Sequence, residues 1–404
     1  MNARKSSSQA VATSYIDVAV AVIQYQNQYL LGYRHAQQHQ GDCYEFVGGK
    51  VENQENPISA LKREVAEEIG LQLDMVEPEM YINALGVISH DYGDKVVRLH
   101  VYRVNLSSRQ YTMMQNKKIG EEGQPLLWVS HTDLLAGKYP LPQANRVILD
   151  WLRLPERICI TQPVQEFASV QYWLAHYCQS LPDGACVYVR HHLDRKNQDV
   201  NVTLAVTDKK VDCEPHDKQI LALLSGLATQ RPDLKWIVSV TDIQRILDNE
   251  QDALLKYVMA QHMPAYVLKQ YDDECDHYIK KESFNQVSSL THLSLVADFP
   301  VTMSCHDALS ILSANQLARQ RIAEGLPAVV AMFVSPVLAT QTHPDVLPLG
   351  WQGFSKLADQ AEVPVIALGG LSPDDLALAR QYGADKVAGI RQFCKNSTQR
   401  DNEK

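Results

Sequence analysis

Short apolar runs alternate with helical stretches throughout the second half of the 404-residue chain. These runs are Arg157–Thr161, Ala185–Arg190, Lys235–Val240, Ala265–Lys269, Val301–Cys305, Ala328–Phe333, Val363–Leu368 and Asp385–Ile390. Strands separated by helices at this spacing are typical of parallel β/α units. About eight such units predict a closed (β/α)8 TIM-type barrel rather than an open doubly wound sheet.

The first part of the chain has a different pattern. Residues 15–153 read as strands with one strong helix, and the proline-containing segment Leu154–Glu166 separates them from the barrel pattern. We therefore expect two domains of α/β and α+β character, covering residues 15–153 and 154–394. Residues 1–14 and 395–404 are expected to be disordered tails.

Charge and hydropathy exclude several classes of protein. The net charge of -9 argues against binding to a nucleic acid polymer, which needs clustered lysine and arginine. The chain has no apolar run of about 18 residues, and its first 14 residues lack the apolar stretch of a secretory signal. Its eight cysteines are scattered without a C-x-x-C pair, so neither a zinc site nor a disulfide framework is indicated. The sequence therefore predicts a cytoplasmic protein that acts on small molecules, away from membranes.

The segment from Gly48 to Leu71 predicts a helix over residues 57–69. Asn56 is a good N-cap, Pro57 suits the first helical position, and Gly70 is placed to end the helix. Four apolar residues at helical spacing are expected to face the core: Ile58, Leu61, Val65 and Ile69.

Three carboxylates, Glu64, Glu67 and Glu68, share a neighbouring face of this helix. Like charges at this spacing repel one another, so a cation is expected among them. Hard oxygen ligands suit Mg²⁺, or alternatively Mn²⁺, and the backbone carbonyl of Gly48 could complete the coordination. The alternative is an acidic helix face that is merely solvated.

This segment resembles the Nudix box, G-x5-E-x7-R-E-U-x-E-E-x-G-U, in which U is aliphatic. The matching residues are Gly49, Glu55, Arg63, Glu64, Val65, Glu67, Glu68, Gly70 and Leu71. The resemblance implies an α/β/α sandwich with a mixed sheet and hydrolysis of a nucleoside diphosphate linked to another group. It also implies that Glu64, Glu67 and Glu68 bind the metal and help to activate water, and that Glu55 pairs with Arg63 to hold the loop against the helix.

Three further segments resemble the MutT branch of this family: Tyr44–Lys50, Gly120–Pro125 and Pro142–Asn145. The resemblance implies that Glu122 is another metal ligand and that Asn145 recognises an oxidised purine. It places four more residues near the nucleotide: Arg34, His39, Phe46 and Lys50. A helix cap is the alternative role for Asn145, and Arg34 and His39 could be surface residues without a role. Val47 and Gln143 replace prolines of the branch, so the base pocket can differ in shape.

The C-terminal half resembles thiamine phosphate synthase, a TIM barrel that joins a pyrimidine diphosphate to a thiazole phosphate. The resemblance rests on the segments 304–307, 335–351, 367–371 and 387–390, each placed after a predicted strand. Candidate phosphate-binding residues in these segments are Thr340, Thr342, Gly369, Gly370 and Gly389. The second predicted strand keeps one arginine, Arg190, of the family's basic stretch. Asp242 could be a ligand, and Cys305 is expected to be a packing residue rather than a nucleophile.

The resulting hypothesis is a Mg²⁺-dependent enzyme that hydrolyses 8-oxo-dGTP to 8-oxo-dGMP and pyrophosphate and so prevents mutations. Two alternatives stay open for this domain: hydrolysis of a thiamine-related diphosphate, and nucleotide sensing without turnover. For the barrel, three roles are open: an active synthase, a sensor of a thiamine-like or phosphate ligand, and a noncatalytic partner domain.

Overall fold

The computed structural model describes residues 15–37, 41–73, 79–91, 95–190, 214–265, 295–342 and 344–395. The candidate residue His39 and the expected tails, apart from Lys395, lie outside these ranges. The described residues form two compact units. The first ends at Arg146 and the second begins at Val147, except that residues 83–85 group with the second unit.

A mixed sheet forms the first unit, as predicted. Its described strands are β1 (Tyr15–Tyr25), β2 (Gln28–Arg34), β3 (Cys43–Glu45), β4 (Val47–Lys50), β5 (Tyr81–Asp91), β6 (Val96–Asn105) and β7 (Leu126–Ser130). The order is β3-β2-β1-β6-β5, with β4 paired to β1 and β7 paired to β2. Strand β1 runs parallel to β6 and antiparallel to β2 and β4. The described helices of this unit are α1 (Pro57–Ile69), α2 (Ser108–Met114) and α3 (His131–Leu135).

Helix α1 begins and ends where the sequence predicts. The Asn56 side chain accepts a hydrogen bond of 2.9 Å from the backbone N–H of Ser59, and Gly70 ends the helix in the left-handed conformation at a φ of 68°. Leu61, Val65 and Ile69 are fully buried against the sheet, and Ile58 packs at the edge of this core. The buried stripe fixes the rotation of the helix and thus the direction in which its glutamates point.

The second unit is a closed barrel of eight parallel strands in the described residues, which confirms the predicted fold class. The strands are β8 (Arg157–Ile160), β9 (Cys186–Tyr188), β10 (Lys235–Ser239), β11 (Val258–Met263), β12 (Val301–Cys305), β13 (Val329–Val334), β14 (Val365–Leu368) and β15 (Lys386–Gly389). The described helices are α4 (Arg146–Arg153), α5 (Val170–Ser180), α6 (Glu214–Gln230), α7 (Val240–Asp248), α8 (Ala308–Ala323), α9 (Gly350–Ala358) and α10 (Leu376–Gln381).

Two features of the barrel differ from the sequence-based expectation. The fourth strand of the described barrel is Val258–Met263, and the expected run Ala265–Lys269 lies outside the described residues from position 266 onward. The polar Gln261 and His262 interrupt the apolar pattern of this strand although both are buried in the barrel. The boundary between the two units also differs, because it lies between residues 146 and 147, near the start of α4, and not after residue 153. Trp151 of α4 is fully buried and donates a hydrogen bond of 3.0 Å to the carbonyl of Val329 in the barrel.

None of the described helices has both the length and the apolar character needed to cross a membrane.

Candidate active site

The glutamates of α1 lie next to a glycine pair on β4. A Cβ atom placed on Gly49 would lie 2.2 Å from the carboxylate of Glu64, and one placed on Gly48 would lie 2.1 Å from the carbonyl oxygen of Ala19. Gly48 also has a φ of 153°, a conformation that favours glycine. The two glycines therefore let the first turns of α1 approach the sheet closely enough to place Glu64 against the β4 backbone.

Arg63 forms ion pairs with one carboxylate of the loop before α1 and with two carboxylates of α1 itself. Its guanidinium donates to both carboxylate oxygens of Glu55, at 3.1 and 2.9 Å, and to the carbonyl of Lys50 at 2.9 Å. The same side chain donates to Glu64 at 2.8 Å and to Glu67 at 3.0 Å. The structure thus brings Glu55 and Arg63 together as the resemblance implied, and a protein cation lies between Glu64 and Glu67.

Glu68 lies in a strongly acidic environment. Burial, followed by the charges of Glu45, Glu122 and Glu64, raises the pKa of Glu68 to about 8. The backbone N–H of Gly48 donates to the Glu68 carboxylate and acts in the opposite direction. Four carboxylates thus interact with one another here, and Glu45 is the one that sequence reasoning missed. The signal was present, because Glu45 lies within the recognised segment Tyr44–Lys50.

The loop that carries Glu122 is fastened to the end of α1. The backbone N–H of Glu121 donates to the Glu68 carbonyl at 2.7 Å, and the side-chain amide of Gln124 donates to the same carbonyl at 3.1 Å. Lys117 donates to the carbonyl of Ile69 at 3.0 Å. These bonds satisfy carbonyls that a helix C-terminus leaves unpaired, and they hold Glu122 near the α1 glutamates.

The donor set fits a divalent cation in its chemistry. All the side chains concerned are carboxylates, the ligands that Mg²⁺ and Mn²⁺ prefer, and burial together with the neighbouring carboxylates raises the pKa of Glu68. In the described part of the chain, however, no three acidic, histidine or cysteine side chains already converge at metal-binding distances. Arg63 holds two of the carboxylates in ion pairs, so the ligands would have to exchange this partner for the metal.

The residues expected near the base have distinct environments. Asn145 is 8% exposed. It ends a short 3-10 turn, Gln143–Asn145, directly before the first residue of α4, so both base recognition and a helix cap stay open for its side chain. Phe46 is buried, whereas Lys50 is exposed and contributes its carbonyl to Arg63.

Arg34 is not an isolated surface residue. It forms an ion pair of 2.7 Å with Glu45, while its Nε atom is buried without a hydrogen-bond partner. Burial raises the pKa of Glu45, and the Arg34 charge opposes that rise. Because Glu45 also acts on Glu68, Arg34 is linked through one carboxylate to the acidic cluster of α1.

A separate cavity of about 740 Å³ opens at the carboxyl-terminal ends of the barrel strands. All five candidate phosphate-binding residues line it: Thr340, Thr342, Gly369, Gly370 and Gly389. The described lining residues also include two arginines, Arg190 and Arg391, two histidines, His262 and His306, and no carboxylate. Its size is that of a small-molecule pocket, and its charge favours an anion.

Two features of this cavity were not predicted. The Nε and Nη2 atoms of Arg190 are buried and have no hydrogen-bond partner among the described residues, which costs free energy unless a ligand binds them. His262 is 2% exposed and bonds Thr302 and Ser304 through its two ring nitrogens, at 3.0 and 2.9 Å. Sequence reasoning missed His262 because it was placed before the fourth strand and not in it.

Two other barrel residues have structural roles. Asp242 is 1% exposed, forms an ion pair of 2.8 Å with Arg245 and does not line the cavity. The possibility that it is a ligand is therefore not supported. Cys305 is fully buried, and burial raises the pKa of its thiol to about 12, which agrees with the expected packing role.

Comparisons with known proteins agree with both halves. Residues 18–151 match the sequence profile of the NUDIX domain, and residues 296–393 match that of thiamine monophosphate synthase. The CTP pyrophosphohydrolase of Escherichia coli is 31% identical over 137 residues, which are 33% of this chain and 89% of that protein. The 8-oxo-dGTP diphosphatase of Haemophilus influenzae is 32% identical over 133 residues, covering 33% and 88% of the two chains. That of Escherichia coli is 29% identical over 140 residues, covering 34% and 98%.

A mixed sheet that carries a helix with this glutamate pattern, against a glycine pair, defines a hydrolase of phosphate anhydrides. The chain belongs to the Nudix family, and its N-terminal part is a Nudix hydrolase domain related to the MutT enzymes. Residues 296–393, which form part of the closed barrel, are similar to thiamine monophosphate synthase.

Proposed function

We propose that residues 15–153 form a domain that hydrolyses 8-oxo-dGTP to 8-oxo-dGMP and pyrophosphate, with Mg²⁺ as the preferred cation and Mn²⁺ as an alternative. The observation that carries the hydrolytic part is the placement of Glu64 against the Gly48–Gly49 backbone, with the loop of Glu122 fastened to the end of α1. Carboxylates arranged in this way are the ligands that a divalent ion takes beside a phosphate chain.

The chain's own residues would act as follows. Glu64, Glu67, Glu68 and Glu122, with the Gly48 carbonyl, would hold the cation, which when bound supplies charge neutralisation and lowers the pKa of water. One of the α1 carboxylates would take the proton of the attacking water. The water would attack one of the two phosphorus atoms that share the bridging oxygen, so that the bond between the α- and β-phosphates would break, and Lys50 would balance part of the charge of the departing pyrophosphate.

Base recognition is assigned to the buried amide of Asn145. An amide offers one donor and one acceptor group to a purine edge, and a base that leaves these buried groups unpaired is rejected. Phe46 would form an apolar wall for the base, and Arg34 and His39 would contact the nucleotide. The burial of Asn145 supports this role.

The test compares kcat/KM for 8-oxo-dGTP and dGTP with Mg²⁺, with pyrophosphate and orthophosphate measured separately. We expect a preference of a hundredfold or more, about 2.7 kcal/mol, and pyrophosphate as the product. Asn145→Ala should remove most of the preference. Gln143→Ala, an exposed change in the same turn, is the control. Glu64→Gln should lower kcat at least a hundredfold, because the cation supplies several kcal/mol of stabilisation. An equal rate on both nucleotides would contradict the oxidised-purine assignment.

A second substrate is favoured by one comparison. The Escherichia coli CTP pyrophosphohydrolase matches this chain about as well as the 8-oxo-dGTP diphosphatases do, so CTP belongs in the same assay. A higher kcat/KM on CTP than on 8-oxo-dGTP would assign a pyrimidine substrate. Activity on neither would direct the search to thiamine-related diphosphates, and binding without turnover would indicate a nucleotide sensor.

For the barrel, residues 154–394, we propose a binding site for a thiamine-related or other phosphate-bearing small molecule. The unpaired guanidinium atoms of Arg190 in a basic cavity support this proposal. Thr340, Thr342, Gly369, Gly370 and Gly389 would contact the phosphate. We also propose that the protein acts in the cytoplasm, independently of nucleic acid polymers and membranes. Isothermal titration with inorganic phosphate, for the native protein and Arg190→Gln, tests the barrel assignment.

A further inference from the structure

A chain of hydrogen bonds runs from the wall of the barrel cavity into the barrel interior. Ser304 lines the cavity, and its Oγ lies 2.9 Å from Nε2 of His262. The other ring nitrogen, Nδ1, lies 3.0 Å from Oγ1 of Thr302. Thr302 in turn donates a bond of 3.4 Å to the backbone carbonyl of Gln261. Four groups on the neighbouring strands β11 and β12 are thus connected in series.

The hydrogen bond between Thr302 and the Gln261 carbonyl determines which group donates and which accepts at each step of this series. A carbonyl can only accept a hydrogen bond, so the Thr302 hydroxyl proton points to the Gln261 carbonyl. The Thr302 oxygen is then the acceptor for His262 Nδ1–H. In a neutral imidazole only one nitrogen carries a proton, so Nε2 is an acceptor and Ser304 must donate to it.

The surroundings keep this imidazole neutral and in place. Burial, together with the charges of Arg190 and His306, lowers the pKa of His262 to about 3. The ring of Tyr188 lies with its centroid 4.4 Å from that of His262, and Phe333 packs edge-on at 5.4 Å. The His262 ring therefore neither takes up a second proton nor turns freely, and its donor and acceptor nitrogens keep the roles given above.

We infer that His262 is a positioning residue that makes Ser304 a hydrogen-bond acceptor toward the cavity. Because the Ser304 proton is used by His262, only the oxygen lone pairs of Ser304 are available to a ligand. The cavity would thus take an anion that Arg190 binds and that also carries an N–H or O–H donor at Ser304. This inference rests on the proposed ligand-binding role of the barrel and adds a polarity requirement to it.

The decisive measurement is the tautomer of His262 in the full-length protein. Long-range ¹⁵N–¹H correlation spectra of histidine-labelled protein, assigned with His262→Gln, distinguish Nδ1–H from Nε2–H. We expect Nδ1–H in the native protein and in Thr302→Ser, which keeps the hydroxyl. Thr302→Val removes the acceptor at nearly constant volume and should shift the ring to Nε2–H. An Nε2–H ring in the native protein would overturn the inference, as would a tautomer that Thr302→Val leaves unchanged.

Titration with sulfate at pH 8 separates this inference from the function on which it rests. Arg190→Gln should weaken sulfate binding tenfold or more, and no binding or no effect would refute the anion site itself. Ser304→Ala should leave the Kd within twofold, because the sulfate dianion carries no proton to offer Ser304. A loss of fivefold or more in Ser304→Ala would show that Ser304 donates to the anion and would overturn the inference while leaving the anion site in place.

Discussion

Gly49 and Glu64 are so closely packed that a single methyl group on Gly49 would lie 2.2 Å from the Glu64 carboxylate. No pair of heavy atoms that are not bonded to each other tolerates this distance. The position of one glutamate of the Nudix helix therefore depends on the absence of a side chain on the neighbouring strand, and four predictions follow from this and related contacts.

Gly49→Ala should inactivate the hydrolase without unfolding it. Glu64 is only 15% exposed and would have to swing away from β4, which displaces a carboxylate of the site. We expect kcat to fall at least a hundredfold with a circular dichroism spectrum like that of the native protein. Gly32→Ala is the matched control, since its new Cβ would meet its nearest neighbour at an ordinary 3.9 Å. Full activity of Gly49→Ala would contradict the assignment of Glu64.

Arg63→Lys should weaken both stability and activity although it keeps the positive charge. The planar guanidinium makes five hydrogen bonds to Lys50, Glu55, Glu64 and Glu67, and an ammonium group cannot reproduce this fork. We expect the free energy of unfolding of the first unit to fall by about 1–2 kcal/mol, as measured by urea denaturation. Arg146→Lys, an exposed change at the start of α4 in the same unit, should be neutral within about 0.5 kcal/mol.

Divalent cations should stabilise the first unit through Glu68. A ligand that binds only the folded state raises the free energy of unfolding, by about 2.7 kcal/mol at a hundred times its Kd. We therefore expect Mg²⁺ or Mn²⁺ to raise the Tm of the native protein at pH 7.5. Glu68→Gln should abolish this rise, whereas Glu52→Gln, on the exposed loop before α1, should preserve it. An equal rise in Glu68→Gln would place the cation elsewhere.

His262 should make barrel stability depend on pH. Its pKa is about 3 in the folded protein and near 6.5 in the unfolded chain, so the unfolded state binds the extra proton between these values. Stability is therefore retained above pH 6.5 and lost as the pH falls toward 3, at up to about 1.36 kcal/mol per pH unit. Subtracting the urea-unfolding curve of His262→Gln from that of the native protein isolates this contribution. Parallel curves for the two proteins from pH 7 to pH 4.5 would contradict the prediction.

Local sequence signals predicted α1 to the residue, because a helix cap, a proline and a terminal glycine act within a few positions of one another. The bounds of strand β12, Val301–Cys305, were also predicted to the residue, in this case from a short apolar run. The fourth barrel strand was misplaced because its buried residues include Gln261 and His262, which satisfy their polar groups with partners some 35 to 42 residues away. A local pattern contains no information on such partners.

The sequence alone determined the Nudix helix, the barrel class and the three glutamates that share one helix face, because these depend on periodicity and on spacing along the chain. Only the tertiary structure decided how those groups affect one another. Glu45 on β3 acts on Glu68 of α1, Arg63 forms ion pairs with two of the metal-ligand candidates, and Thr302 sets the proton on His262. Burial and through-space electrostatics act over distances of a few ångströms, and only the folded chain brings together residues this far apart in sequence.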